Sequence, residues 1–237
     1  MNDSLEFLEP AERELQNEFL TNGFVIRPVE NSAALEELRD SVVEVASVFL
    51  GAQSTDQDDF LNHIHQAVSA DKLNELRLDV LERINSSKAI RPQFYSMARS
   101  LLSSLVGNEL AMQNRLNLSI QLPQDEGSLL PIHADVWSGD SPYEAVVWLP
   151  LVDCYRSKSM FLLPPAATQS LHQNFSHYSE KSSEDLFRDF KEELKWIEIK
   201  YGSVLVFNQN LPHGNRVNQE SETRWSLNCR FKSLFSP

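Results

Sequence analysis

His133-Ala-Asp135 places an imidazole and a carboxylate two positions apart. In an extended strand residues i and i+2 share a face, so the two side chains can converge on one metal ion. With six histidines in the chain, the pair by itself reads equally well as a surface histidine beside a solvated aspartate. His213 adds a third ligand. It lies in Asn208-Gln-Asn-Leu-Pro-His-Gly214, behind the apolar run Ser203-Val-Leu-Val-Phe207, where Pro212 and Gly214 mark a turn at a strand end. Two histidines and one carboxylate leave three adjacent coordination positions open, the facial triad that suits non-haem iron(II). Zinc on the same ligands is the other metal left open.

The next chemical feature follows ten intervening residues later, in Thr223-Arg-Trp-Ser-Leu-Asn-Cys-Arg-Phe-Lys232. Alternation puts Arg224, Ser226, Asn228 and Arg230 on one face and Trp225, Leu227, Cys229 and Phe231 on the other. A guanidinium inside a barrel is costly unless it meets an anion, and the distal carboxylate of 2-oxoglutarate would be a bidentate partner for Arg224. Ser226 could donate a second hydrogen bond. An internal salt bridge or an exposed sheet face accounts for Arg224 as well if the histidines are left aside. Arg230 and Asn117 are further inward-facing polar candidates, and Arg230 would meet a phosphate or carboxylate of a substrate.

Positioning these residues requires a change in the character of the chain near residue 110. Before it, Leu35, Leu38, Val42, Val45 and Phe49 recur at helical spacing and Gly51 offers a stop. Asp59 to Val68, Lys72 to Ile84 and Pro92 to Val106 read as further helices, with Gly107 as a cap. Gly23-Phe-Val-Ile-Arg-Pro28 is a short strand ended by its proline. Beyond residue 110 the period becomes two: Leu116, Leu118, Ile120 and Leu122 take one face, Asn117, Ser119 and Gln121 the other. Leu129 to Val136, Ala145 to Val152, Ser159 to Leu163, Trp196 to Lys200, Ser203 to Asn208 and Trp225 to Phe231 complete a set of strands. Connections are mostly too short for the crossover helices of a parallel sheet. The expected fold is therefore mainly β with flanking helices: a double-stranded β-helix (jelly-roll) core over 111–237, an N-terminal helical layer over 1–110, one domain in all. The polar stretch 166–193, with the capping pattern Ser182-Ser-Glu-Asp185, is a lid or a decoration.

Bulk properties agree with a globular protein. In 237 residues, 41% are hydrophobic and 23% charged, too apolar for a disordered chain. A net charge of -13 repels polyanions, which argues against nucleic acid as a partner. The first ten residues lack the basic and apolar regions of a signal peptide, and no apolar run reaches the roughly 20 residues of a membrane span, so a cytoplasmic protein without membrane attachment is expected. Cys154 and Cys229 form neither a disulfide framework nor a zinc-finger spacing. His63 and His65 are not on one helical face, and His172 and His177 have no partner pattern.

His133-x-Asp135, His213 and Arg224-x-Ser226, in that order and at strand spacing, resemble the phytanoyl-CoA hydroxylase-like branch of the 2-oxoglutarate/iron(II) oxygenases. The likeness runs from the Gly23 strand onward. Leu118-Ser-Ile-Gln-Leu-Pro123, His133-Ala-Asp-Val-Trp-Ser-Gly-Asp-Ser-Pro142, Trp148-Leu-Pro-Leu-Val-Asp153 and Lys158-Ser-Met160 look like the bacterial oxygenases of sporadic carbohydrate gene clusters. The resemblance implies Fe(II) on His133, Asp135 and His213, with 2-oxoglutarate and O2 as cosubstrates. Arg224 would hold the far carboxylate, and Gln121 and Trp148 would lie near the cosubstrate. The implied activity is hydroxylation of a small molecule such as a sugar or sugar-derived intermediate. Asp135 also separates this chain from the halogenating relatives, which leave the carboxylate position to a halide. Trp137, Asp140 and Tyr143 follow the metal motif and could face the mouth, an aromatic ring beside carboxylates being suited to a sugar; packing against the sheet is the other role open to the tryptophan. Two other classes stay open. One is a cupin-like sugar-binding or isomerase barrel with a metal but no redox chemistry; the other is a catalytically inactive interaction protein. A sugar binder would have no reason to place arginine and serine behind its metal.

Overall fold

A computed structural model describes residues 7–52 and 55–236. The first six residues, part of the stretch weighed above as a leader, lie outside the described residues. The N-terminal half is helical: α1 (Pro10–Asn22), α2 (Ser32–Leu50), α3 (Gln57–His63), α4 (Ala70–Ser86), α5 (Ile90–Ser96) and α6 (Arg99–Leu105), with strand β1 (Phe24–Pro28) between the first two. Local chemistry sets their ends. Asn31 caps α2 by accepting from the Ala34 amide at 3.1 Å, and Gly51, at φ 62°, closes it in the left-handed conformation. The helix expected over Pro92 to Val106 is two helices that break at Met97 and Ala98. A residue far away in sequence secures the break: Glu30 donates its amide to the Met97 carbonyl, and its carboxylate accepts from the Ser100 amide and hydroxyl at 2.8 and 2.9 Å.

The remaining strands are β2 (Leu110–Met112), β3 (Asn117–Gln121), β4 (Ala145–Pro150), β5 (Phe161–Leu162), β6 (Lys195–Trp196), β7 (Ser203–Asn208), β8 (His213–Gly214) and β9 (Arg224–Ser233). Helices α7 (Pro165–Gln173), α8 (Phe175–Tyr178) and α9 (Ser183–Phe190) fill the long connection after β5. The larger sheet runs β1-β7-β4-β9-β2, with β3 also on β9, and the smaller runs β6-β5-β8. Every strand pair is antiparallel. Two antiparallel sheets with a helical layer over the larger one form the expected jelly-roll core, although helices occupy more of the chain than strands do.

Strand β9 is the axis of the site. Its apolar face, Trp225, Leu227, Cys229 and Phe231, is fully buried in the core that the sheet shares with α2 to α6. Trp225 also donates its indole N–H to the Leu61 carbonyl of α3 at 3.0 Å. Because a one-residue slip would exchange the two faces, this burial fixes the opposite face, carrying Arg224 and Arg230, toward the interior between the sheets. Lys158, wholly buried, ties the approach to β9 to the helical layer by donating to Asn62 Oδ1 and Glu222 Oε2, each at 2.6 Å.

The segment 166–193 is packed rather than detached. Ala167, Leu171, Leu186 and Phe190 form a second apolar cluster with Phe161, Leu163 and Ile132, the residue before His133. The Ser182–Asp185 capping box forms as the pattern predicts.

Candidate metal centre

The expected strand over Leu129 to Val136 is absent. The chain instead crosses β8 through one bridge, in which His133 and His213 exchange both backbone hydrogen bonds at 2.9 and 2.7 Å. Asn215 extends the attachment with its side chain and amide on Leu130. Asp135 then opens a 3-10 turn, Asp135–Ser138, ended by Gly139 at φ 97°. Gly214 makes the crossing possible: a Cβ there would lie 2.6 Å from the Leu130 carbonyl oxygen and 3.0 Å from that of Pro131. The two motif residues therefore converge because their backbone is held against β8, and not because they sit on a regular strand.

His133 Nε2 is 3.7 Å and His213 Nε2 4.0 Å from Asp135 Oδ1, and one ligand atom from each residue lies within 4.8 Å of the others. His133 Nδ1 is 2.8 Å from the Pro131 carbonyl and His213 Nδ1 2.9 Å from that of Leu211. A carbonyl only accepts, so each Nδ1 carries the proton and each Nε2 presents a lone pair to the centre. Burial, and then the neighbouring His133, push His213 down to about 4, which keeps it neutral and ready to ligate at neutral pH. The donor set fits a divalent metal with open positions.

A cavity of about 130 Å³ adjoins the three ligands, with Trp148, Asn117, Ser119, Arg224, Asn228 and Arg230 on its walls. Arg224 is 3% exposed and donates to the Ser159 carbonyl at 2.9 Å and the Ser119 hydroxyl at 2.8 Å. Its Nε is buried without a partner, and no carboxylate pairs with it among the described residues. Burial accordingly lowers its pKa to about 10. The Ser226 hydroxyl, on the same strand face, is also buried and unpartnered, but it lies behind the cavity wall and does not line it. A buried cation with spare donors beside a metal triad fits an anionic chelator that spans the cavity.

Trp148 and Asn117 thus fall on the cavity, Asn117 donating to Asn228 at 2.9 Å. Gln121 does not: it lies opposite Arg224 in the β3–β9 register, but its amide turns away and donates to the Arg216 carbonyl. Trp137 is also off the cavity, because the 3-10 turn after Asp135 swings it outward to pack on Phe175 with ring centroids 5.8 Å apart. Tyr143 is exposed, and Asp140 lies 3.8 Å from Arg230. Arg230 lines the cavity, but the anion it meets is Asp135, with Nη2 at 2.9 Å and Nε at 3.1 Å from Oδ2. Ser119, Asn215 and Asn228 also line the cavity; the period-two pattern of β3 and β9 places Ser119 and Asn228 on the polar faces. Asn215 had no such signal, since its role depends on the backbone of residue 130.

The chain is therefore a double antiparallel sheet with His133, Asp135 and His213 clustered on one cavity, and comparison with solved structures finds similar folds. The sequence matches no protein-family model and no curated protein. The fold is similar to that of HygX from Streptomyces hygroscopicus, crystallised with nickel and 2-oxoglutarate bound, at 16% identity and a TM-score of 0.58 over 94% of this chain and 87% of that one. AviO1 from Streptomyces viridochromogenes Tue57 is similar at 15% identity and a TM-score of 0.62, over 95% and 96% of the two chains. SnoN, a non-heme alpha ketoglutarate dependent epimerase from nogalamycin biosynthesis, is similar at 14% identity and a TM-score of 0.52, over 94% and 83%.

Proposed function

We propose that the protein is a non-haem Fe(II)- and 2-oxoglutarate-dependent oxygenase that hydroxylates a small molecule, a sugar or sugar derivative in bacterial carbohydrate metabolism. The observation that carries the reading is Arg224: a fully buried guanidinium with no counter-ion among the described residues, on the same cavity as His133, Asp135 and His213. The names of the structural neighbours, two of which include a metal-dependent keto-acid chemistry or its ligand, support it. A metal-binding barrel without redox chemistry leaves the buried arginine without a purpose.

In this reading His133, Asp135 and His213 would hold iron(II), which with 2-oxoglutarate and O2 would supply the oxidising power to attack an unactivated C–H bond. Arg224 would fix the distal carboxylate, with Ser119 holding the guanidinium in place. Trp148 walls the cavity and keeps water from the cosubstrate. Asn117 and Asn228, joined to each other, offer hydrogen-bonding groups for a hydroxylated substrate. The two buried, unpaired cysteines accord with a cytoplasmic setting. Among the described residues no helix is long and apolar enough to cross a membrane.

The test is anaerobic titration of the folded protein with iron(II) and 2-oxoglutarate. The expected result is the weak visible charge-transfer band of a chelated keto acid; its absence from well-folded protein would refute the proposal.

A further inference from the structure

Asp135 is 5% exposed, and its two oxygens have different surroundings. Oδ1 faces the two histidine Nε2 atoms at 3.7 and 4.0 Å. Oδ2 accepts from Arg230 Nε at 3.1 Å, and Arg230 Nη2 stands 2.9 Å from the same oxygen as an ion-pair contact. Both nitrogens thus crowd one oxygen, whereas the common fork of a guanidinium on a carboxylate places one nitrogen on each oxygen. Arg230 itself is held on strand β9, where Val146 of β4 is its register partner and its backbone amide donates to Gln113 Oε1 at 3.2 Å. The clamp is thus anchored to the larger sheet, while Asp135 rides on an irregular turn.

We infer that Arg230 is a positioning residue for the metal centre: it occupies Asp135 Oδ2, so that the carboxylate presents Oδ1 alone and ligates through one oxygen. This rests on the metal reading proposed above. The consequence concerns the open positions. A carboxylate free to rotate can ligate through both oxygens and take one of the sites that the keto acid and oxygen need; with Oδ2 held, three positions stay open. Asp140 is 3.8 Å from Arg230 Nε, too far for a hydrogen bond, and Glu144 feels the guanidinium only through its charge, so among the described residues Asp135 is the carboxylate it hydrogen-bonds.

The sign of one measurement separates positioning from charge. A cation beside a divalent metal repels it, so if Arg230 acted only through its charge, Arg230→Ala would tighten metal binding. If it orients Asp135, the same substitution weakens binding, by about 10- to 100-fold as for other groups that orient metal ligands. The experiment measures nickel(II) affinity by calorimetry for the parent, Arg230→Lys and Arg230→Ala, and records the visible ligand-field spectrum of each after loading with cobalt(II). The expected order of affinity is Arg above Lys above Ala, and the cobalt bands of the Ala variant should differ from the parent's in position and intensity as the carboxylate loses its fixed orientation. Unchanged or tighter nickel binding in the Ala variant, or cobalt spectra identical to the parent, would overturn the inference. Should Arg230→Ala not fold, Arg230→Lys decides, since it keeps the charge and loses the Nε hydrogen bond and the planar approach to one oxygen. A parent protein that binds no metal would instead refute the underlying metal reading.

Discussion

Replacing Arg224 with methionine separates two free energies that an ordinary salt bridge would couple. The guanidinium is enclosed and meets no carboxylate among the described residues, and burial lowers its pKa from 12.5 to about 10. A depression of that size corresponds to roughly 3 kcal/mol of desolvation. Methionine removes this penalty, but it also removes the hydrogen bonds to the Ser159 carbonyl and the Ser119 hydroxyl, worth roughly 1 to 1.5 kcal/mol each. The opposing terms nearly cancel, so the cosubstrate-free protein should change in stability by about 1 kcal/mol or less. Cosubstrate binding should respond quite differently. Truncating one side of a buried, hydrogen-bonded charge pair costs about 2 to 5 kcal/mol, which is roughly a 30- to 5,000-fold rise in Kd. Urea unfolding without ligand gives the first quantity, and calorimetric titration of 2-oxoglutarate into the nickel-loaded protein gives the second. A variant that binds 2-oxoglutarate within about threefold of the parent would remove Arg224 from the site. A loss of more than about 3 kcal/mol of ligand-free stability would show instead that the arginine is held by a structural partner.

Two further substitutions probe the ligands. Gly214→Ala drives a Cβ against the Leu130 and Pro131 carbonyls, which are backbone and cannot rotate away; it should lower stability by about 1 to 3 kcal/mol and weaken nickel binding as His133 is displaced, and an unchanged nickel isotherm would contradict the close crossing. In the metal-free protein His213 is held down to about 4, below the ordinary value near 6.5. As pH falls through about 6.5 the unfolded chain takes up a proton that the folded chain refuses. Stability should therefore decline between about pH 6.5 and 4, by up to roughly 3 kcal/mol. Urea midpoints at pH 7 and 5 read this slope, which His213→Gln should flatten; a parent profile without decline would refute it.

The residue types and their periods determined much on their own. The period-two alternation of Arg115 to Leu122 and of Arg224 to Phe231 assigned the inward faces, because burial of Leu118, Ile120, Trp225 and Leu227 leaves their neighbours only the interior between the sheets. Helices α2 and α4 were legible for the same reason, their apolar stripes being local. Tertiary structure decided what depends on distant backbone. The break between α5 and α6 rests on Glu30, and the absence of a strand at Leu129 to Val136 rests on the single bridge from His133 to His213. Trp137 and Gln121 left the cavity because a 3-10 turn and a backbone carbonyl of the loop after β8 redirected their side chains. Arg230 shows the division most sharply. Alternation pointed it inward, but whether its anion would be a substrate group or Asp135 depended on where an irregular turn placed one carboxylate oxygen, a distance that no local pattern encodes.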